Sequence, residues 1–181
     1  CSSDLAVCRK ERYAFFTTIM QEQSIDTLVT AHHADDQLES ILMGLAKAGT
    51  VTGMQGIHVK RSFTKGIIIR PFLMVTKDEI RGYLQKSGIS FREDASNEKD
   101  DYTRNRFRRH IVPLLKAENE CIAQHAAQFS MQLMQDDAYL RELAQQAFNR
   151  LVTKKSEDCY EVEITAFLRE PLALQRRLIL I

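Results

Sequence analysis

The stretch Thr27-Leu28-Val29-Thr30-Ala31-His32-His33-Ala34-Asp35-Asp36-Gln37-Leu38-Glu39-Ser40-Ile41-Leu42 decides how this chain is read. Its first five residues are short, apolar and partly β-branched, the pattern of a buried strand. From Leu38, apolar residues recur at Ile41, Leu42 and Leu45, offsets of three, four and seven that mark one face of an amphipathic helix. The polar cluster between them therefore sits where a strand passes into a helix. In open α/β sheets that edge is where ligands bind.

Outward from this unit, the same alternation continues. Cys8, Arg12, Phe16, Ile19 and Met20 follow helical spacing, and Ser24 to Asp26 break it before the strand. Gly49, Gly53 and Gly56 punctuate a loop, and Gly66-Ile67-Ile68-Ile69 predicts a second short strand ended by Arg70-Pro71. Thr76-Lys77-Asp78-Glu79 is a capping box that opens a helix with Ile80, Tyr83 and Leu84 inward and Gly88 as its stop. Ile89 to Phe91 reads as a brief strand or extended segment. A helix with Phe107, Ile111, Leu114 and Leu115 as its apolar stripe follows, and Pro113 predicts a kink or break in it. Beyond Asn119, the residues Ile122, Ala126, Phe129, Leu133, Leu140, Leu143, Ala147 and Leu151 form a heptad-like stripe on one helix of about 30 residues, interrupted at Asp136. Tyr160, Val162 and Ile164 alternate as a strand, and a terminal helix starts at Pro171. The expected class is α/β, a partial doubly wound parallel sheet over residues 1–117, with a long helix and the start of a helical second domain over 118–181.

Composition sets the limits. The chain has 181 residues, 44% hydrophobic and 27% charged, which suits a folded protein with a buried core. Its formal net charge is +1, so any attraction to a polyanion must come from local patches. The longest apolar stretches, 41–46 and 66–75, are too short to span a bilayer. The four cysteines, Cys1, Cys8, Cys121 and Cys159, are scattered without metal or redox spacing. Free thiols in a reducing, cytoplasmic compartment are expected. Residues 1–10 lack the pattern of a signal peptide. The first residue is not Met and residues 178–181 end without a cap, so the chain is expected to be part of something longer.

Two clusters carry chemistry. In the first, imidazoles and carboxylates of His32, His33, Asp35, Asp36 and Glu39 crowd a helix N-terminus; the plain alternative is that the acids merely offset the helix dipole. His, Asp and Glu also suit a metal, although no second ligand cluster appears. In the second, Arg104, Arg106, Arg108 and Arg109 follow an acidic segment, with Arg104 and Arg108 one helical turn apart. Guanidinium forks match phosphate oxygens of a nucleotide or of RNA. The alternative is pairing with the acids just upstream. The Gly49 to Gly56 loop follows a helix rather than a strand and is not a dinucleotide fingerprint, and no GxxxxGK[ST] phosphate loop exists in the chain.

Taken in order, Ala31 to Ser40, Gly53-Met54-Gln55-Gly56-Ile57, Ile69-Arg70-Pro71-Phe72-Leu73, Glu93-Asp94-Ala95-Ser96-Asn97 and Arg104-Asn105-Arg106-Phe107-Arg108 resemble the tRNA(Ile)-lysidine synthase family of the N-type ATP pyrophosphatase, or PP-loop, group. The resemblance covers about residues 5 to 115 and, more loosely, a linker helix after them. It implies a sheet of the adenine nucleotide alpha hydrolase type. It also implies a reaction in which ATP adenylates C2 of the wobble cytidine of an isoleucine tRNA with a CAU anticodon. The lysine ε-amine then displaces AMP to give lysidine, with magnesium serving the triphosphate. In that scheme the amine, with an ordinary pKa near 10.4, needs a proton acceptor. His33 and Asp36 are the expected catalytic pair, with His32, Asp35 and Glu39 in support. Asp36 is alternatively a magnesium ligand. Arg70, Arg104, Asn105 and Arg108 are expected on ATP or tRNA phosphate, and Asp94, Ser96 and Asn97 form a structural motif.

Three departures from the family pattern stand out. The SGGxDS pyrophosphate loop is absent from this chain, so it is expected to be inactive by itself. Ser40 stands where Thr is usual, and Ala48, after Lys47, where Arg is usual. No membrane is expected as a partner, and oligomeric state is left open. Two other readings are a related ATP pyrophosphatase acting on another tRNA base, whose relatives often use paired cysteines absent here, and a noncatalytic RNA-binding module.

Overall fold

The structure, a computed structural model, describes residues 2–92, 102–156 and 159–181, without the side chains of 2–6. The expected motif residues Asp94, Ser96 and Asn97 lie outside the described residues. The chain forms two compact units, Cys1–Met131 and Gln132–Ile181, which divide inside a long helix.

In the first unit, helix α1 (Ser2–Glu22) leads through a turn with Ser24 at φ 52° into strand β1 (Thr27–Val29). Helix α2 (Ala34–Lys47) and the short helix α3 (Val51–Met54) follow, then strands β2 (Lys60–Phe63) and β3 (Gly66–Ile69). The sheet order is β1-β3-β2. β1 runs parallel to β3 in the register Leu28 with Ile68, and β2 pairs antiparallel to β3. The sheet is therefore mixed rather than wholly parallel. β2 was not foreseen because Lys60-Arg61-Ser62-Phe63 carries only one apolar residue; its partner Ile run supplies the pairing. Ile68, at the sheet centre, is fully buried. Gly66 lets the two parallel strands close up, since a Cβ there would collide with the Asp26 carbonyl, which accepts from Ile67 N–H at 2.8 Å.

Helix α4 (Lys77–Lys86) starts at the expected capping box. Thr76 Oγ1 accepts from Glu79 N–H at 3.1 Å, and Glu79 Oε2 accepts from Thr76 N–H at 2.7 Å. Gly88, at φ 67°, follows its end. Residues 89–92 form no strand.

The arginine segment is helix α5 (Thr103–Arg106), a π-helical turn over Phe107–Ile111, and helix α6 (Val112–Glu118). Pro113 has no N–H for a carbonyl one turn back, and the π turn just before it absorbs that loss. The wider turn also shifts the phase of the helix. Val112 is buried while Leu114 is 69% exposed, so the apolar stripe expected through Leu114 is displaced.

Helix α7 (Ile122–Leu151) has the expected 30 residues. Its first part packs through small side chains: Ala123, Ala126 and Ala127 join Ala34, Leu38, Ile41 and Val112 in one core. Such residues let helix axes approach closely, and each buried Leu or Ile contributes about 1.5–3 kcal/mol. Phe129, placed in the stripe by spacing, is exposed.

In the second unit, the rest of α7 leads into the hairpin β4 (Val152–Ser156) and β5 (Cys159–Val162), then α8 (Ile164–Arg169) and α9 (Leu172–Leu178). Ile164 opens a helix instead of extending the strand. Ala144, Ala147, Leu174 and Leu178 are buried here. The buried acid of this stretch is Asp137 and not Asp136; it accepts from Arg177 Nη2 at 2.7 Å and Arg141 Nε at 2.8 Å. Among the described residues no helix is long and apolar enough to cross a membrane. Cys8, Cys121 and Cys159 are exposed and unbridged.

Candidate active site

The first unit holds a cleft of about 720 Å³ at the C-terminal end of β1. Its walls come from three places: Arg9, Arg12, Tyr13 and Phe16 on α1; Thr30, Ala31, His32 and Asp36 at the strand-to-helix passage; Tyr102, Arg104, Asn105 and Arg108 on the arginine segment. The two clusters legible in the sequence thus meet across one crevice.

They meet through an ion network. Glu39, 1% exposed, accepts from Arg104 Nε at 2.6 Å through one oxygen and from Arg108 Nε at 2.6 Å through the other, and Arg108 Nη2 adds a bond at 3.0 Å. Asp36 Oδ1 accepts from Arg104 Nη2 at 3.1 Å and Arg108 Nη2 at 3.4 Å. The spacing of Arg104 and Arg108, one turn apart, matches that of Asp36 and Glu39 on α2. These arginines therefore pair with acids far back in the chain as well as facing the cleft. Burial opposes charge on Arg108, but its bond to Glu39 and the charges of Glu39, Asp36 and Asp35 raise its pKa above the ordinary value.

The two histidines divide. His33 is the N-cap of α2: its Nδ1 accepts from Asp36 N–H at 3.4 Å, and its own N–H donates to Asp36 Oδ2 at 3.1 Å. Its ring lies 3.5 Å from carboxylate oxygens of both Asp35 and Asp36 and does not line the cleft. His32 does line it. Thr30 Oγ1 and His32 Nδ1 share a hydrogen bond of 2.9 Å. Burial lowers the His32 pKa, the Asp36 charge opposes that, and the charges of Arg70, Arg104 and Arg9 lower it further, so the ring is held neutral at pH 7.

Asp35 faces away from the cleft into a structural junction. Lys116 Nζ lies 2.5 Å from its Oδ1, and Lys77 N–H donates to Oδ2 at 2.7 Å, joining α2 to α4 and α6. Burial alone would raise this carboxyl. The neighbouring His33 ring, hydrogen bonds from Lys116 and the Lys77 backbone, and the Lys116 charge hold it far below the ordinary carboxylate range. Gln37 is likewise structural. Its Oε1 accepts from Ile57 N–H at 2.7 Å and its Nε2 donates to the Gln55 carbonyl at 3.2 Å and to Ser130 Oγ, fastening the loop after α3. The Ser40 hydroxyl donates to the Asp36 carbonyl at 2.7 Å.

Arg70, expected on a ligand phosphate, is 4% exposed and absent from the cleft wall. It is enclosed because it ends β3, where Nη1 donates to the His58 carbonyl at 2.6 Å and a further bond joins the guanidinium to the Tyr13 phenol. Asp36, expected as a catalytic group or a magnesium ligand, accepts hydrogen bonds on both carboxylate oxygens, from the His33 N–H and from Arg104, and among the described residues no group of three or more His, Cys, Asp or Glu side chains converges.

Residues missed in the sequence are Arg9, Tyr13 and Thr30. The signal was present, since Arg9, Arg12, Tyr13 and Phe16 share one helical face.

Residues 4–115 match the PP-loop domain family. The chain is also similar to curated enzymes named tRNA(Ile)-lysidine synthase. That of Geobacillus kaustophilus is 46% identical over 168 residues, covering 93% of this chain and 36% of the relative. Those of Bacillus licheniformis and Bacillus subtilis are 42% and 43% identical over 172 residues, covering 95% of this chain and again 36% of each relative. The chain spans little more than a third of these relatives' length.

Proposed function

The chain belongs to the PP-loop domain family, and from that premise we propose that it is the part of an ATP-dependent tRNA-modifying ligase that carries the reaction cleft. The observation that supports this best is the meeting of His32 and Asp36 with Arg104 and Arg108 on one cleft, whose size falls in the range of small-molecule sites. The reaction proposed is that of the similar enzymes' name. Lysine is joined to C2 of the wobble cytidine of an isoleucine tRNA through an adenylated intermediate, releasing pyrophosphate and AMP.

In this reading His32 takes the place of proton acceptor. In the tautomer that donates Nδ1–H to Thr30 Oγ1, Nε2 keeps its lone pair on a ring that lines the cleft, and a depressed pKa keeps it in the basic form. It would accept the proton that the lysine ε-ammonium sheds to become a nucleophile. His33 holds the helix N-cap that aims Asp36, and Glu39 holds the two arginines from behind. Arg104 and Arg108, with Asn105, are then fixed in advance where negative charge develops as the leaving group departs. Residues 1–117 carry the nucleotide chemistry, and residues 118–181 a linker helix and the beginning of a tRNA-binding part.

The test is lysine incorporation into an isoleucine tRNA bearing a CAU anticodon, measured with AMP and pyrophosphate release on the full-length protein. Incorporation dependent on both ATP and lysine is expected. ATP turnover with modification of a different base would assign it to another PP-loop enzyme class. RNA binding without any ATP turnover would make it a binding module.

A further inference from the structure

The arginines that the sequence marks for phosphate are largely committed within the protein. The formal charges of Asp36, Glu39, Arg104 and Arg108 cancel inside their own network, and Arg70 is enclosed. The cleft's remaining positive charge comes from α1. Neither Arg9 nor Arg12 has a carboxylate at ion-pair distance among the described residues. Arg9 belongs to a second cluster that continues out of the cleft onto the sheet edge. Its Cζ lies 5.5 Å from the Tyr13 ring centroid. Arg61, on the edge strand β2, has its Cζ 5.5 Å from the same ring and 5.6 Å from the Phe63 ring. Tyr13 and Phe63 meet edge to face with centroids 5.5 Å apart.

This arrangement preorganises an exposed guanidinium. Stacking on two rings restricts Arg61 without neutralising it, and the only backbone bond it makes among the described residues is a long one, 3.4 Å to the Ser62 carbonyl. Burial alone would raise the Tyr13 phenol, but its bond to Arg61, the charge of Arg9 and its bond to Arg70 bring it below its ordinary value. The ring is thus a mount shared by the cations. Lys60 and Lys65 are exposed beside Arg61, so the edge offers a row of cations and not one binding point. An edge strand carrying Lys and Arg is a poor site for pairing with another strand. A repeating polyanion matches it.

We propose that Arg9 and Arg61, mounted on Tyr13, form a phosphate-binding rim beside the cleft that grips the phosphodiester backbone of the RNA presented to the cleft. The inference rests on the tRNA reading above and adds where the backbone is held. A triphosphate is the other source of the same oxyanion chemistry, but Arg61 lies outside the cleft wall. The exposed side chain of Arg61 can be replaced without opening the core.

The test titrates labelled isoleucine tRNA with the full-length protein at several salt concentrations. Arg61→Gln and Arg9→Gln should each bind tRNA about tenfold more weakly and lower the salt slope by about one. Arg61→Lys should keep the slope yet lose affinity, because it retains charge without the stacked fork. Thermal unfolding checks that each variant is folded, and the ATP dissociation constant of Arg61→Gln should match that of the unsubstituted protein. Unchanged tRNA affinity and slope in both glutamine variants would overturn the rim. So would weaker ATP binding with unchanged tRNA binding, which would give these guanidiniums to the nucleotide. If the unsubstituted protein binds no tRNA at any salt, the tRNA reading itself falls.

Discussion

Replacing Glu39 with Gln tests the arginine network in its most buried member. The carboxylate is 1% exposed and accepts three bonds from two guanidiniums, at 2.6, 2.6 and 3.0 Å. Gln keeps the shape but turns an N–H₂ toward one of the two Nε–H groups and removes one of the two carboxylates that the arginines share, leaving them the Asp36 contacts. Breaking a fully buried pair costs about 3–5 kcal/mol. The arginine side chains are 34% and 30% exposed, which screens part of the loss, so about 2–3 kcal/mol is expected. At about 2–4 °C per kcal/mol, the melting temperature of the unit should fall by about 4–12 °C in a calorimetric scan. Adding Arg108→Met removes one of the surplus charges, so the double variant should recover at least about 1 kcal/mol relative to the sum of the singles. A shift under about 1 °C for Glu39→Gln, or strictly additive losses, would refute the argument.

Three more outcomes follow from the same contacts. Because the Asp35 pKa is depressed in the folded chain, its stabilisation is present above the ordinary value of 3.8 and is lost as pH falls through and below it; Asp35→Asn should flatten the acid side of the stability curve, and an unchanged curve would show the Lys116 contact to be idle. His33→Ala removes a cap and should cost about 1 kcal/mol of stability, while single-turnover transfer stays within a few-fold; a rate loss of about a hundredfold would return proton acceptance to His33. Gly66→Ala forces β3 away from the Asp26 carbonyl and should destabilise by about 2 kcal/mol or more in denaturant titration, and a neutral result would mean that the β1–β3 pairing relaxes freely.

The sequence made α2 and its cluster readable because the apolar period, the polar run and the preceding strand agree over 16 residues. The capping box at Thr76 was readable because it is local. What escaped depends on partners far along the chain. β2 is a strand only because the Ile run of β3 pairs with it. The choice between His32 and His33 turns on one residue of phase at a helix start, and spacing within an assumed helix cannot make it. Arg104 and Arg108 were expected on phosphate, and spacing could not reveal that both also bond to Glu39, 65 and 69 residues earlier. Arg70, readable as a strand-end cation, is enclosed by Tyr13 of α1 and the His58 carbonyl, contacts that no local pattern encodes. The π turn before Pro113 shifted the helix phase and moved the buried position to Val112.

The measurement that bears most directly on the cleft is single-turnover transfer of lysine to isoleucine tRNA by the full-length protein at saturating ATP, with His32→Ala and Asp36→Asn alongside the unsubstituted form. A loss of about a hundredfold or more in each variant is predicted. Transfer within a few-fold of the unsubstituted rate in both would place the chemistry somewhere other than this cleft.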